Sequence, residues 1–286
     1  MIEQALNEHL RTNTGLAAFL ATYNGEPAIF NQEAPADKDP LWGEGSQYGR
    51  IVFYVDIQGD PERTMGGTLS VDIMCKEDQQ FPEEVEPVVR DLIHGYFFSS
   101  GTFTVAAQWR DSSYFTNPTD QVTGCTISFS LLGFPIMTTA DPDVVQNLNE
   151  YLSLLEGVHV INHDILPESA WRPTENESAI YCRVVNDNPA GWIPDTFQTI
   201  WRTSIVKCHI FSQNISIAST LSRNIVHNLY RIKRLIKPGS SPIMVNRNNT
   251  IDIGADPLRT GQITIEATYG VIVYDSNDKT IEHIHY

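Results

Sequence analysis

Few side chains in this sequence are spaced for chemistry. His159 and His163 lie on either side of Ile161 with Asp164 next in line, and His283 and His285 repeat an i, i+2 spacing, so each pair would face one side of a strand. A zinc site gathers about four ligands, more than either segment brings, so ordinary strand histidines are the default and neither a metal nor a cofactor is expected. Gly43, Gly45 and Gly49 lack the helix N-terminus and following lysine of a phosphate loop and read as a flexible loop. Asp37, Asp39 and Glu44 share that loop, while Glu83, Glu84 and Glu86 open a helix, where carboxylates favour the free N–H groups. Asp72, between Val71 and Ile73, falls on the polar face of a strand. None of these sets is an acid–base pair, and neither G-x-S-x-G nor H-E-x-x-H occurs, so the chain is not expected to be an enzyme; the alternative is a small-molecule enzyme with a site assembled from distant segments.

The remaining notable residues suit binding. Arg223, Arg231, Lys233, Arg234 and Lys237 cluster at a helix C-terminus, where cations complement the dipole, and could meet an acidic neighbour, including another copy of this protein. Trp42, Trp171 and Trp192 fall in loops and read as interface anchors; Trp109 and Trp201 read as core or strand positions. With 19 basic and 35 acidic side chains the net charge is -16, which opposes tight binding to phosphate backbones. The four cysteines show no C-x-x-C spacing and read as buried thiols. No run of apolar residues is long enough to span a membrane, and the N-terminus has no signal-peptide pattern, so synthesis in the cytoplasm is expected.

The elements that must position these residues form a repeat. Leu69, Val71, Ile73 and Cys75 alternate as a half-buried strand, and a helix follows with Val85, Val88, Val89, Leu92, Ile93 and Tyr96 on its apolar face and Pro82 in its first turn. The unit recurs: Val206, Cys208 and Ile210 alternate, and Ile217, Leu221, Ile225, Leu229 and Ile232 follow at helical spacing up to the stop signal Pro238-Gly239. Upstream, Leu6-Asn7-Glu8-His9-Leu10 returns as Leu148-Asn149-Glu150-Tyr151-Leu152, the first within a helix from Ile2 to Leu20 that Asn13-Thr14-Gly15 can interrupt. Each copy continues with a strand ending near a proline, a Pro/Trp-marked loop and a second strand, 50–57 or 179–185. Each closes with two strands in which Thr123-Gly124 and Gly133 match Thr260-Gly261 and Gly270 at equal spacing. That alignment sets Ile127 and Phe129 opposite Thr264 and Glu266, so a bulge or one-residue gap must intervene. The expectation is an α+β protein of two tandem similar domains, 1–137 and 142–286, each a mixed or antiparallel sheet flanked by helices. Residues 1–140 carry 7 basic and 19 acidic side chains (-12), the rest 12 and 16 (-4).

The leucine-rich first helix, the extended segment ending in Ala34-Pro35 with Pro40, the strand Gly67-Thr68-Leu69-Ser70-Val71-Asp72-Ile73, the long helix and the two closing strands together resemble the tail terminator, or tail completion, proteins of long-tailed bacteriophages. The resemblance covers residues 1–136; residues 142–275 look like a diverged second copy. It implies a non-enzymatic virion protein without cofactor: a ring that caps the tail tube and joins it to the head connector, with tail tube protein and connector or stopper protein as partners. DNA would pass through the ring without specific binding; another neck or minor tail interaction protein is the alternative. Sixfold or pseudo-sixfold tails imply six chains, or three with two similar domains each, and the unequal charge of the halves favours the homohexamer. The expected interface residues are Asp39, Trp42, Glu44, Trp171, Trp192, Arg223, Arg231 and Arg234.

Overall fold

A computed structural model describes residues 2–58, 66–78, 81–100, 103–119, 121–135, 142–161, 166, 168–196, 198–236, 241–255, 257 and 260–272. The first half runs α1 (Ile2–Thr12), α2 (Thr14–Ala17), β1 (Thr22–Tyr23), β2 (Glu26–Pro27), β3 (Ile29–Asn31), a 3-10 turn (Pro40–Trp42), β4 (Arg50–Gln58), β5 (Gly66–Lys76), α3 (Pro82–Ile93), β6 (Phe97–Ser99), β7 (Phe103–Asn117) and β8 (Val122–Pro135). The second runs α4 (Val144–Leu152), β9 (Val158–Val160), β10 (Ala170–Trp171), β11 (Ser178–Pro189), β12 (Thr199–Phe211), α5 (Ile215–Ile232), β13 (Arg234–Leu235), β14 (Ile243–Val245), β15 (Thr250–Ile251) and β16 (Ile263–Ile272). The chain forms two compact units, 1–136 with 164–173, and 137–163 with 174–286.

The class is mixed α+β, built on two curled sheets, each a half-barrel. The first has the order β10-β6-β7-β8-β5-β4-β3, the second β13-β14-β16-β12-β11-β9 with β15 beside β16. In both, the strand at one end of the sheet lies parallel to its neighbour, β3 to β4 and β9 to β11, and the other neighbours are antiparallel. The helices are not a distinct flanking layer, as the sequence reading expects; their apolar faces share one core with the strands. In the first unit Leu6 and Leu10 of α1 and Val85, Val89 and Ile93 of α3 join Leu69, Val71, Ile73, Ile127 and Phe129. In the second, Val145, Leu148 and Leu152 of α4 and Ile225, Val226 and Leu229 of α5 join Val206, Cys208, Ile263 and Ile265.

Local chemistry sets the ends of these elements. Asn13 stops α1 by capping α2, its side chain accepting the Leu16 N–H at 2.8 Å. Asn214 caps α5, and Lys233 ends that helix in the left-handed region at φ 59°. Arg234 therefore belongs to a strand and not to the helix end where the sequence reading sets it. The buried face of α5 is Ala218, Ser222, Ile225, Val226 and Leu229, which leaves Ile232 exposed. Matching the two Thr-Gly pairs by spacing also misleads. Gly124 lies inside β8 opposite Met74, where an added Cβ would meet Phe115 and the Ile73 carbonyl. Gly261 sits ahead of β16 at φ 70° against the Cys208 carbonyl. With Ile127 opposite Val71 and Ile265 opposite Val206, the apolar phases of β8 and β16 agree once that one-residue slip is taken.

Candidate functional site

An open cleft of about 910 Å³ in the second unit holds two of the cations that cluster in the sequence, Lys233 and Arg234, and adds Arg247 to them. Its floor is β14 and the facing part of β16, and its walls are the end of α5, Trp192 and the Asn246-Arg247-Asn248 turn. The left-handed turn at Lys233 throws the chain from helix into β13 and puts Lys233 and Arg234 at the rim, with Arg247 across from them. The turn is fixed from beneath: the Tyr230 hydroxyl donates to the carbonyls of Arg247 and Asn249 at 3.0 and 3.3 Å. Glu266 is the carboxylate of the lining, and asparagines occupy it, Asn246 Nδ2 donating to Oε1 at 2.7 Å and Asn248 Nδ2 to Oε2 at 3.2 Å. Lys233, Arg234 and Arg247 thus have no carboxylate partner among the described residues, and Trp192 is 64% exposed beside them. A cleft with three unpaired cations and an exposed indole can hold an acidic, partly apolar segment.

The other expected interface residues are dispersed. Asp39 accepts the Leu41 N–H at 2.9 Å and the Tyr23 hydroxyl at 3.2 Å, which fixes the 3-10 turn. Trp42 is not an outward anchor: it is 4% exposed, packs edge-on against Tyr23 and Phe30, and donates from Nε1 to the Ala36 carbonyl. Trp171 is likewise buried, in β10, with its ring 5.8 Å from that of Phe97. Glu44, Arg223 and Arg231 are exposed, and of the eight only Trp192 and Arg234 line the cleft. Lys237, His163 and Asp164, and His283 and His285, lie outside the described residues. His159 sits 3.8 Å from Glu177. Among the described residues no three His, Cys, Asp or Glu side chains are grouped to hold a metal, and no helix is long and apolar enough to cross a membrane.

Two polar networks escape sequence reading because their members are far apart in the chain. Asp187 accepts from Arg202 Nε at 2.9 Å, from Ser204 Oγ at 2.9 Å and from the hydroxyl of fully buried Tyr269 at 3.1 Å. Burial pushes that phenol upward from its ordinary value, so it stays a donor. Three donors of its own sheet thus converge on this carboxylate. Glu86, expected as a solvated first-turn carboxylate, is 4% exposed, with Ser112 Oγ donating to it at 2.6 Å and Arg90 at 3.4 Å. Arg90 in turn lies over the Trp109 ring. Both networks fasten strands to each other or to a helix, which is structural work.

No family model and no curated protein matches this chain.

Proposed function

We propose that the chain is a non-enzymatic assembly protein of the tail-terminator kind: two tandem copies of one domain, 1–137 and 142–286, each a sheet with its helices, that build a ring capping a phage tail tube and joining it to the head connector. The carrying observation is that two curled sheets pass through one strand order, with the same parallel pair at one end and the same long helix between corresponding strands. A repeated unit whose Asp187 and Glu86 networks hold strands together, and whose open cleft presents cations and an indole, suits a building block better than a catalyst. The negative first half supports the passage of DNA without adhesion, since a polyanion is repelled by a wall of its own sign. Charge asymmetry between the halves favours distinct environments for the two domains and hence six chains; three chains supplying six domains is the competing stoichiometry.

Negative-stain microscopy and native mass of the purified protein test this. Rings with a central hole are expected, and phage lacking the gene should accumulate filled heads with unjoined tails or overlong tubes. Normal virions in its absence, or a compact monomer at every concentration, would end the reading.

A further inference from the structure

We propose that the outer edge of β13 is a docking site for the exposed stretch 33–38 of the β3–β4 connection of a second copy of this chain. The inference deepens the assembly reading and rests on it in requiring that copies meet. It starts from an unequal ending of two equal sheets. The first does not stop at β6, because β10 pairs antiparallel with it, Phe97 opposite Trp171 and Phe98 opposite Ala170, and Ser99 N–H donates to the Ser169 carbonyl at 2.9 Å. The second sheet runs through the matching strands and, among the described residues, ends at β13. A sheet edge with free N–H and C=O groups is a template for an added strand.

The internal repeat says which segment would cover it. β10 comes from the connection between β9 and β11, and the corresponding connection joins β3 to β4. Leu41-Trp42 follow the end of β3 at the chain distance by which Ala170-Trp171 follow the end of β9. One connection is used on an edge; its counterpart is not: Trp42 is fastened to Tyr23 and Phe30, Leu41 donates its N–H to Asp39 and accepts the Asn24 N–H at its carbonyl while its side chain stays 49% exposed, and the stretch 33–38 ahead of them is left to pair. Charge agrees with the match. Asp37 is held by Arg50 and Asp39 by the 3-10 turn, but Glu33 in the stretch and Glu44 just past it have no cationic partner among the described residues, and the β13 edge is bordered by Lys233, Arg234 and Arg247. Apolar surface agrees as well, with Ile236 72% and Ile232 41% exposed beside the edge. Since donor and acceptor are different surfaces, the contact is heterologous: each copy gives one connection and receives one, which closes a ring or extends a filament.

Full-length Leu41→Cys and Ile236→Cys single variants, both at exposed positions, are mixed and treated with a short bis-maleimide; the native thiols Cys75, Cys125, Cys182 and Cys208 are buried and stay unmodified. A cross-linked dimer in the mixture, absent from either variant alone, is the expected result. Charge supplies the second arm: Glu33→Lys with Glu44→Lys, or Arg234→Glu alone, should weaken self-association by about tenfold, and combining them in one chain should restore it to within about threefold. A protein that assembles into rings but gives no cross-link in the mixture, or whose association is indifferent to the reversals, overturns the docking site and leaves the ring reading standing. A double variant that cross-links only within one chain also overturns it. A protein monomeric at all concentrations overturns both.

Discussion

Replacing Trp171 by alanine should unfasten β10 and cost the first unit a measurable share of its stability. A tryptophan side chain buries about 150–250 Å², and at ~25 cal/mol per Å² some 200 Å² is worth roughly 5 kcal/mol, an upper figure because an unfolded chain already shields part of that surface. Trp171 retains 8% exposure. Alanine also keeps the Cβ and the backbone pairing of β10, so about 3–4 kcal/mol is the expected loss, near the low end for a tryptophan removed from a core. The effect must be local. Hydrogen exchange in urea should show the Ser99 amide, bonded to the Ser169 carbonyl in the parent, losing protection together with β6 and the facing part of β7, while amides of β12 and β16 keep theirs. A loss under about 1 kcal/mol, or deprotection centred on β13 and β14, would refute the view of β10 as the cover of the first sheet.

Alkaline pH should destabilise the protein through its thiols. Burial holds Cys75 and Cys125 up to about 11, from an ordinary value of 9.0, and pushes Cys182 upward too. The unfolded chain releases these protons first, so the stabilisation is complete below about pH 9 and is lost towards pH 11, at up to about 1.4 kcal/mol per pH unit each for Cys75 and Cys125; a urea midpoint flat over that range contradicts this. Gly261→Ala should destabilise the second unit by about 2–4 kcal/mol, from the left-handed conformation and a Cβ forced to 2.8 Å from the Cys208 carbonyl. Gly254→Ala, which meets nothing closer than 3.7 Å, should stay within about 0.5 kcal/mol in the same thermal melts.

The sequence carries the fold well where periodicity is strong. Alternation at Leu69, Val71, Ile73 and Cys75 marks β5, and Pro82 with the spacing of Val85, Val89, Leu92 and Ile93 marks α3, because one buried face repeats in each. It fails where a face is polar or small: α5 buries Ala218 and Ser222, which a search for large apolar residues passes over. The short strands β6 and β13 leave almost no periodic signal. The site is legible only as a cluster of cations and loop tryptophans. Nothing in residue type separates Trp192, which faces solvent, from Trp42 and Trp171, whose partners Tyr23, Phe30 and Phe97 are distant in the chain.

Pairing β6 with β10 also sets a schedule for synthesis. The last strand of the first half ends at Pro135, and the strand that covers β6 is complete only at Trp171. At 5–20 residues per second, the nascent first unit waits roughly 2–7 s with Phe97 and Phe98 at a bare edge. A strand that short offers few groups to a stray partner, which limits the hazard during the delay. Truncations ending between these two points should therefore leave the ribosome with a sheet that is folded but adhesive, and chaperone dependence should fall once residue 171 has emerged.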